Sequence, residues 1–209
     1  MTILARNGAM TDPTVRSAAG GDEAAFASLV ADHHASMARV AFVVCGDVEL
    51  TRDVVETAWA IAWRRIGSLR DPALVRPWLV AIAANEARQA MRRQRRARVI
   101  DISQDLRDPR GDPIDSVELM DLEVALQRLR PDDRGLIAMR YAAGLESAEI
   151  ASQLGLSASG VRSRLARILE RIRLELRVDP ERPDERHQAD RRPHRRADRG
   201  VRGSSADRR

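Results

Sequence analysis

The chain has 209 residues and a formal net charge of +5, and 44% of its residues are hydrophobic but only 3% aromatic. All 36 basic residues are arginines, which excludes a Walker-type phosphate loop, and the single cysteine, Cys45, excludes an intrachain disulfide or a thiolate metal cage. Because no signal peptide is visible and no apolar run approaches the roughly 18–20 residues of a membrane span, we expect a cytoplasmic protein.

Apolar residues at spacings of three and four predict three helices in the N-terminal half. Residues 1–21 are mostly small or polar and predict a flexible tail. Helices are expected over 22–45, 50–66 and 76–98, with a proline-containing loop at 67–77. The positions predicted to face a core are Phe26, Leu29, Val30, Met37, Val40, Ala41, Val44, Val54, Val55, Ala58, Ile61, Ala62, Trp78, Leu79, Ile82, Ala83, Ala87 and Met91.

The third helix ends in a run of arginines uninterrupted by acids: Arg88, Arg92, Arg93, Arg95, Arg96 and Arg98. The local charge of the sequence then changes from positive to negative, because acids outnumber arginines between Asp101 and Asp133. Within that stretch, residues 107–113 (RDPRGDP) have the composition of a turn-rich linker. We therefore assign 22–98 to one helical domain and 99–113 to a flexible linker. That linker is either a solvated spacer or a segment that mimics nucleic-acid charge.

A second helical domain is predicted over 114–177, and a disordered arginine-rich tail over 178–209, where few apolar residues could offset the entropy of ordering. Within the domain, residues 145–176 have the pattern of a helix-turn-helix. We expect Ser147 to cap the first helix and Gly155 to provide the left-handed turn. Leu156 is expected to fill the angle between the helices, and Ser157 to cap the second.

The second of these helices is strongly amphipathic. Val161, Leu165, Ile168, Ile172 and Leu176 form its apolar stripe, and at 100° per residue small and basic side chains fall on the other face. Such a face suits the major groove, where arginines reach phosphates and guanine edges. The alternative is an ordinary helical hairpin with a solvated face. The candidate DNA-contacting residues are Ser159, Arg162, Ser163, Arg164 and Arg167.

No enzyme signature is present: HExxH, GxSxG and GxGxxG are all missing from the sequence. His33 and His34 are adjacent, so they point in different directions on a helix and make a poor metal pair. Cys45 is expected to be a small apolar residue, and the three tryptophans are expected to be core or interface anchors. The sequence thus predicts a protein that is not an enzyme and has no cofactor and no metal.

Two successive segments of the first domain indicate a more specific class of DNA-binding protein. Residues 53–65 (DVVETAWAIAWRR) and 76–96 (RPWLVAIAANEARQAMRRQRR) resemble region 2 of the extracytoplasmic-function (ECF) sigma factors, a subfamily of the sigma-70 family. Residues 126–174 resemble region 4 of the same proteins. The resemblance implies an all-α fold of two small helical domains. It also implies binding to core RNA polymerase through the β′ and β subunits, recognition of promoter DNA, and control by an anti-sigma factor.

The resemblance also implies roles for individual residues. Asp53, Glu56, Thr57 and Trp59 match the surface that docks on β′, although the family usually has Gln-Glu in place of Glu56-Thr57. Asn85 matches a position that helps to read the minus-ten element, and Gln89 replaces a frequent aspartate. Region 4 would read the minus-thirty-five element through its second helix. The residues expected to hold the promoter backbone are Arg88, Arg92, Arg93, Arg95 and Arg96.

The sequence leaves two other functions open. The chain could be a stand-alone helix-turn-helix regulator whose N-terminal helices only dimerise. It could also be a sigma-like adaptor that binds polymerase or an anti-sigma protein without initiating transcription.

Overall fold

The computed structural model describes residues 7–100 and 117–177, and every regular element in these ranges is helical, which confirms the predicted all-α fold. Two 3₁₀ turns, Ile66–Ser68 and Pro72–Leu74, join the third and fourth helices, and a π-helical segment, Ala138–Ala142, extends the sixth. The helices are α1 Asn7–Ala19, α2 Glu23–Cys45, α3 Val48–Arg65, α4 Val75–Ile100, α5 Val117–Arg128, α6 Pro131–Ile137, α7 Ser147–Leu154 and α8 Ala158–Arg177.

Local polar contacts fix the ends of α2 and α3. Asp22 accepts a hydrogen bond from the Ala25 amide at 3.0 Å, and Asp47 accepts one from the Leu50 amide at 2.7 Å. Between the two helices, Gly46 adopts the left-handed conformation at φ 66° and its N–H satisfies a carbonyl of α2. Such caps are common because the first amides and last carbonyls of a helix have no partner within it. The three predicted helices of this half begin and end within two residues of the observed bounds.

The prediction of a flexible tail up to residue 21 is wrong for Asn7–Ala19, which form α1. Val15 and Ala18 of this helix are 2% exposed and join a buried cluster with Leu29, Met37 and other residues of α2, α3 and α4. The sequence signal was weak because Val15 and Ala18, the α1 residues in this cluster, form no extended apolar period. Its stability comes from tertiary contact rather than from helical propensity.

The two halves of the described chain share one core. Val40, Val44, Ala84 and Ala87 of α2 and α4 belong to the same buried cluster as residues of the C-terminal half, among them Leu129, Leu136, Met139, Leu145, Ile150, Val161, Leu165 and Ile168. Helices α1 to α8 consequently form one compact unit that ends at Leu176. The sequence predicted the helices of each half but not this contact between them.

Two predicted segments lie largely or wholly outside the described residues. The predicted linker covers 99–113, of which only residues 99 and 100 are described, as the end of α4. The predicted disordered tail, 178–209, falls entirely outside. Both remain predictions.

Candidate nucleic-acid interface

Helices α7 and α8 form the predicted helix-turn-helix. Gly155 has the left-handed conformation, φ 65°, and Ser157 accepts a hydrogen bond from the Gly160 amide at 3.0 Å, so both predictions are confirmed. The cap of α7 differs from the prediction: Glu146 occupies the N-cap position, and its N–H donates to the Glu149 carboxylate at 2.6 Å. This capping box leaves Ser147 as the first helical residue.

Leu156 does not fill the angle between the two helices. Its side chain is 46% exposed, whereas the apolar stripe of α8 from Val161 to Ile172 is buried. The prediction for Leu156 is therefore wrong, and the buried residues of α7 are Ile150 and Ala151. Leu176, predicted to end the stripe, is also 42% exposed.

The outward face of α8 carries four of its five candidate DNA-contacting residues in exposed positions. Ser159, Arg162, Ser163 and Arg167 all face solvent, and Arg167 Nε donates to the Ser163 carbonyl at 3.4 Å. Small serines alternate with long arginines along this face. The helix can therefore approach a groove closely while two guanidinium groups reach its walls.

Arg164, the fifth candidate, is held by the protein itself. Its Nε and Nη2 atoms both donate to Asp133 Oδ1 on α6, at 3.0 and 2.8 Å, and Arg171 Nη1 lies 3.7 Å from Asp133 Oδ2. Asp133 is one of the few buried acids of the described chain. The pair fixes α8 against α6 and so orients the exposed face of the helix.

The second candidate surface is the arginine-rich half of α4. Asn85, Arg92, Arg93, Arg95 and Arg96 are exposed there.

Arg88 of this surface is largely covered, and its Nη2 donates to the Asn85 side-chain oxygen at 3.3 Å. Burial lowers the pKa of Arg88, and the neighbouring Asp132 carboxylate opposes that shift. An arginine still remains protonated at any ordinary pH, so the surface keeps its positive charge.

An open cavity of about 280 Å³ adjoins Asn85. Gln89, which stands where the family often has an aspartate, lies on its wall and donates to Glu86 Oε1 at 3.0 Å. Gln153 of α7 also lines the cavity, and no local pattern in the sequence links it to α4. The lining residues are Ile61, Arg65, Trp78, Ala81, Ile82, Asn85, Glu86, Gln89 and Gln153.

The residues predicted to dock on polymerase lie on α3 and separate into two groups. Asp53, Glu56 and Thr57 are exposed, and two of them, Asp53 and Thr57, line an open groove of about 390 Å³ between α3 and α4. Trp59 is half-buried instead. Its indole Nε1 donates to His34 Nδ1 at 3.3 Å, and its ring meets Phe26 edge-on at 5.6 Å. Trp59 therefore joins α3 to α2.

Residues 7–100 and 117–177 contain no cluster of three histidine, cysteine or acidic side chains that could hold a metal ion. None of the helices described in these ranges has the length and apolarity needed to span a membrane.

Comparison with known proteins identifies the family. The family model described as Sigma-70 region 2 matches residues 29–97, and that described as Sigma-70, region 4 matches residues 119–172. The RNA polymerase sigma factor NccH of Alcaligenes xylosoxydans xylosoxydans is 32% identical over 176 residues, which cover 76% of this chain and 92% of NccH. The ECF RNA polymerase sigma factor SigL of Mycobacterium tuberculosis is 30% identical over 78% of this chain and 94% of SigL. This chain belongs to the ECF sigma factors.

Two further similarities bear on this ECF sigma factor. It spans only 44% of the length of another relative, the probable RNA polymerase sigma factor RfaY of Xanthomonas campestris, at 30% identity. Among solved structures, CnrH in complex with the cytosolic domain of CnrY matches 81% of this chain and 98% of CnrH, with a TM-score of 0.63 and 27% identity. The match to region 2 removes the case for a stand-alone helix-turn-helix regulator.

Proposed function

We propose that this ECF sigma factor uses three different surfaces to contact core RNA polymerase and two promoter elements. Asp53, Glu56 and Thr57 on α3 contact core RNA polymerase, the basic half of α4 holds the minus-ten region, and α8 reads the minus-thirty-five element. The single observation that carries the proposal is the exposed face of α8, where Ser159, Arg162, Ser163 and Arg167 project opposite a continuous buried stripe. The serines allow this face to approach DNA closely, and the arginines can reach phosphates or base edges.

The α4 surface supports the second assignment. Its exposed arginines supply sequence-independent, salt-sensitive attraction for a phosphate backbone. Asn85 and Gln89 line the adjacent cavity, where side-chain amides can pair with the edge of an unstacked base. The protein directs polymerase to promoters without itself catalysing a reaction, and we place it in the cytoplasm with the polymerase and its DNA.

We also propose an anti-sigma partner for this chain. CnrH, which shares its fold, was solved with the cytosolic domain of CnrY bound. An inhibitor that covered α3 or α4 would block the contact with polymerase or with promoter DNA.

The experiment separates polymerase binding from promoter reading. Purified protein is mixed with core RNA polymerase and the complex is isolated by gel filtration. We expect Asp53→Ala and Glu56→Ala to weaken the complex. The matched control is Glu49→Ala, because Glu49 is an exposed acid on the same helix that already pairs with Arg52 at 2.5 Å.

Arg167→Ala should leave the complex intact and reduce only transcription from promoters. If the wild-type chain formed no complex with core polymerase, the proposal would fail. If Glu49→Ala weakened the complex as strongly as the other two variants, the assignment of Asp53 and Glu56 would be wrong.

A further inference from the structure

Four side chains of α4 form two hydrogen-bonded pairs beside the cavity at Asn85. Asn85 and Gln89 line this cavity about one helical turn apart, and Glu86 lines it as well. Arg88 Nη2 donates to Asn85 Oδ1 at 3.3 Å, and Gln89 Nε2 donates to Glu86 Oε1 at 3.0 Å. Both pairs join residues three apart, so the helical period alone brings their members together.

The partner in each pair fixes the direction in which the amide points. An arginine has donors only, so the Asn85 amide must turn its oxygen toward Arg88 and its NH2 group away. An ionised carboxylate only accepts, so Gln89 must turn its nitrogen toward Glu86 and its oxygen away. Among the described residues, no other side-chain hydrogen bond engages Asn85 or Gln89. The Asn85 NH2 group and the Gln89 oxygen are therefore left for a ligand.

Glu86 is more deeply buried than the two amides. It is 8% exposed, and it lines both the cavity and the groove between α3 and α4. A buried carboxylate needs hydrogen-bond donors, and Gln89 supplies one. Turning the Gln89 amide over would break this bond and bring two oxygens together. The pair therefore favours one orientation of Gln89 over the other.

We propose that Glu86 is a positioning residue, which sets Gln89 to present its carbonyl oxygen to an unstacked base of the minus-ten element. The base that fits carries an exocyclic amino group, as adenine, cytosine and guanine do, because Gln89 and Glu86 place acceptors on the same wall of the cavity. Thymine has no amino group, and its carbonyl oxygens would meet these acceptors unfavourably. This inference rests on the proposed function, because it takes the cavity as the site of an unstacked base.

The same pairing accounts for a glutamine at a position where the family often has an aspartate. An aspartate presents only acceptors, whereas a free glutamine amide can present either of its two ends. Because Glu86 engages the amide nitrogen, Gln89 is left with the end that resembles a carboxylate.

The test measures how strongly the holoenzyme depends on the amino group of each minus-ten base. Core RNA polymerase and the purified chain first select active promoters from templates with a randomised minus-ten region. In a selected promoter, each amino-bearing base of the nontemplate strand is then replaced in turn by purine, 2-pyrimidinone or hypoxanthine, which lack that group. The templates are premelted over this region, so the replacement cannot act through duplex stability. The transcript yield on the natural template divided by that on the substituted template is the discrimination ratio.

At one position of the element, we expect a discrimination ratio of about 5–10 for the wild type, the effect of losing one hydrogen bond in a covered site. Glu86→Gln should lower the ratio below about 2, because glutamine can donate as well as accept and no longer fixes Gln89. Gln89→Ala removes the acceptor itself and should lower the ratio in the same way. Each ratio compares two templates with one holoenzyme, so a change in polymerase binding cancels.

An exchange variant separates positioning from a merely structural role. Glu86→Gln combined with Gln89→Glu keeps the net charge, and the amide at position 86 can donate to the carboxylate at position 89. That carboxylate then presents an acceptor to the cavity, so the double variant should restore a ratio of at least about 5. The matched control is Glu49→Gln, which removes an exposed carboxylate from α3 and should keep the wild-type ratio.

The outcomes distinguish this inference from the function on which it rests. A wild-type ratio below about 2 at every minus-ten position would show that the cavity reads no amino group. An unchanged ratio in Glu86→Gln or in Gln89→Ala would overturn the inference, and so would an exchange variant that restores nothing. In all these cases the wild type still initiates at the selected promoters, so the proposed function stands. If the holoenzyme selected no promoter, the proposed function would fail and this inference with it.

Discussion

Asp133 on α6 accepts two hydrogen bonds from Arg164 on α8, with Oδ1 lying 3.0 Å from Nε and 2.8 Å from Nη2. This pair ties α8 to α6, so we expect Arg164 to act chiefly through structure. We expect Asp133→Asn and Arg164→Ala each to cost about 1–2 kcal/mol of unfolding free energy, because Arg164 is partly exposed and solvent weakens the pair. Urea unfolding of both variants and of the double variant measures the coupling between the two residues. If Arg164→Ala left stability unchanged and reduced promoter binding, Arg164 would be a DNA contact instead.

Arg167 should read the minus-thirty-five element directly. Its side chain is exposed and makes a long hydrogen bond, 3.4 Å, to a backbone carbonyl of its own helix. Arg167→Ala is expected to cost about 1–3 kcal/mol of binding to promoters that keep this element. The control is Arg173→Ala, which removes the same charge from the same helix where it pairs with Glu170 at 3.5 Å. Equal losses on promoters with and without the element would show that Arg167 contacts phosphate alone.

Two glycines with nearly the same backbone conformation should differ in their response to alanine. Gly46 and Gly155 have φ values of 66° and 65°, so alanine at either carries the left-handed penalty of about 1–2 kcal/mol. A Cβ at Gly155 meets nothing within 4 Å, whereas at Gly46 it would collide with the Gln127 side chain. Gln127 cannot move freely, because it accepts a hydrogen bond from the buried Arg134. Gly46→Ala should therefore lower the free energy of unfolding, measured in urea, by at least about 1 kcal/mol more than Gly155→Ala does. Equal losses of stability in the two variants would show that the Gln127 side chain moves aside for a Cβ at position 46.

The stability of the protein should fall in mildly acidic solution because of His33. Burial lowers the pKa of His33 below its usual value of 6.5, and Arg76 lowers it further, while Asp32 partly opposes the shift. The unfolded chain then binds a proton at a higher pH than the folded chain does. The unfolding free energy is accordingly highest above pH 6.5 and declines as the pH falls below that value. Urea unfolding at pH 7.5 and 5.5 should show a smaller decline for His33→Gln than for the wild type. An identical decline would assign the effect to other groups.

Much of the fold follows from periodicity and capping chemistry. Gly155 and Ser157 act where the sequence predicts, since a left-handed turn and an N-cap depend on neighbours only a few residues away. Helix α1 was missed because Val15 and Ala18 give little periodic signal and are held by residues far along the chain.

The exposed surfaces of the candidate site could be predicted from the sequence, but the side-chain contacts within it could not. The exposed face of α8 follows from its helical period, and that of α4 from its run of arginines. The partners of Arg92 and Arg164 do not follow, because Asp132 and Asp133 lie 40 and 31 residues away in sequence. These two adjacent acids make different contacts: Asp132 joins α6 to α4, and Asp133 joins α6 to α8. No local pattern distinguishes them, since the direction of each side chain depends on how α6 packs.

Promoter selection by the complete holoenzyme is the most direct test of the central claim. Core RNA polymerase transcribes fragmented genomic DNA of the source organism with and without the purified chain, and the 5′ ends of the transcripts are sequenced. The protein should create new start sites that share two upstream elements, and Arg167→Ala should weaken mainly the sites with a strong minus-thirty-five element. A chain that bound core polymerase but created no new start sites would contradict a role in initiation and would favour a sigma-like adaptor.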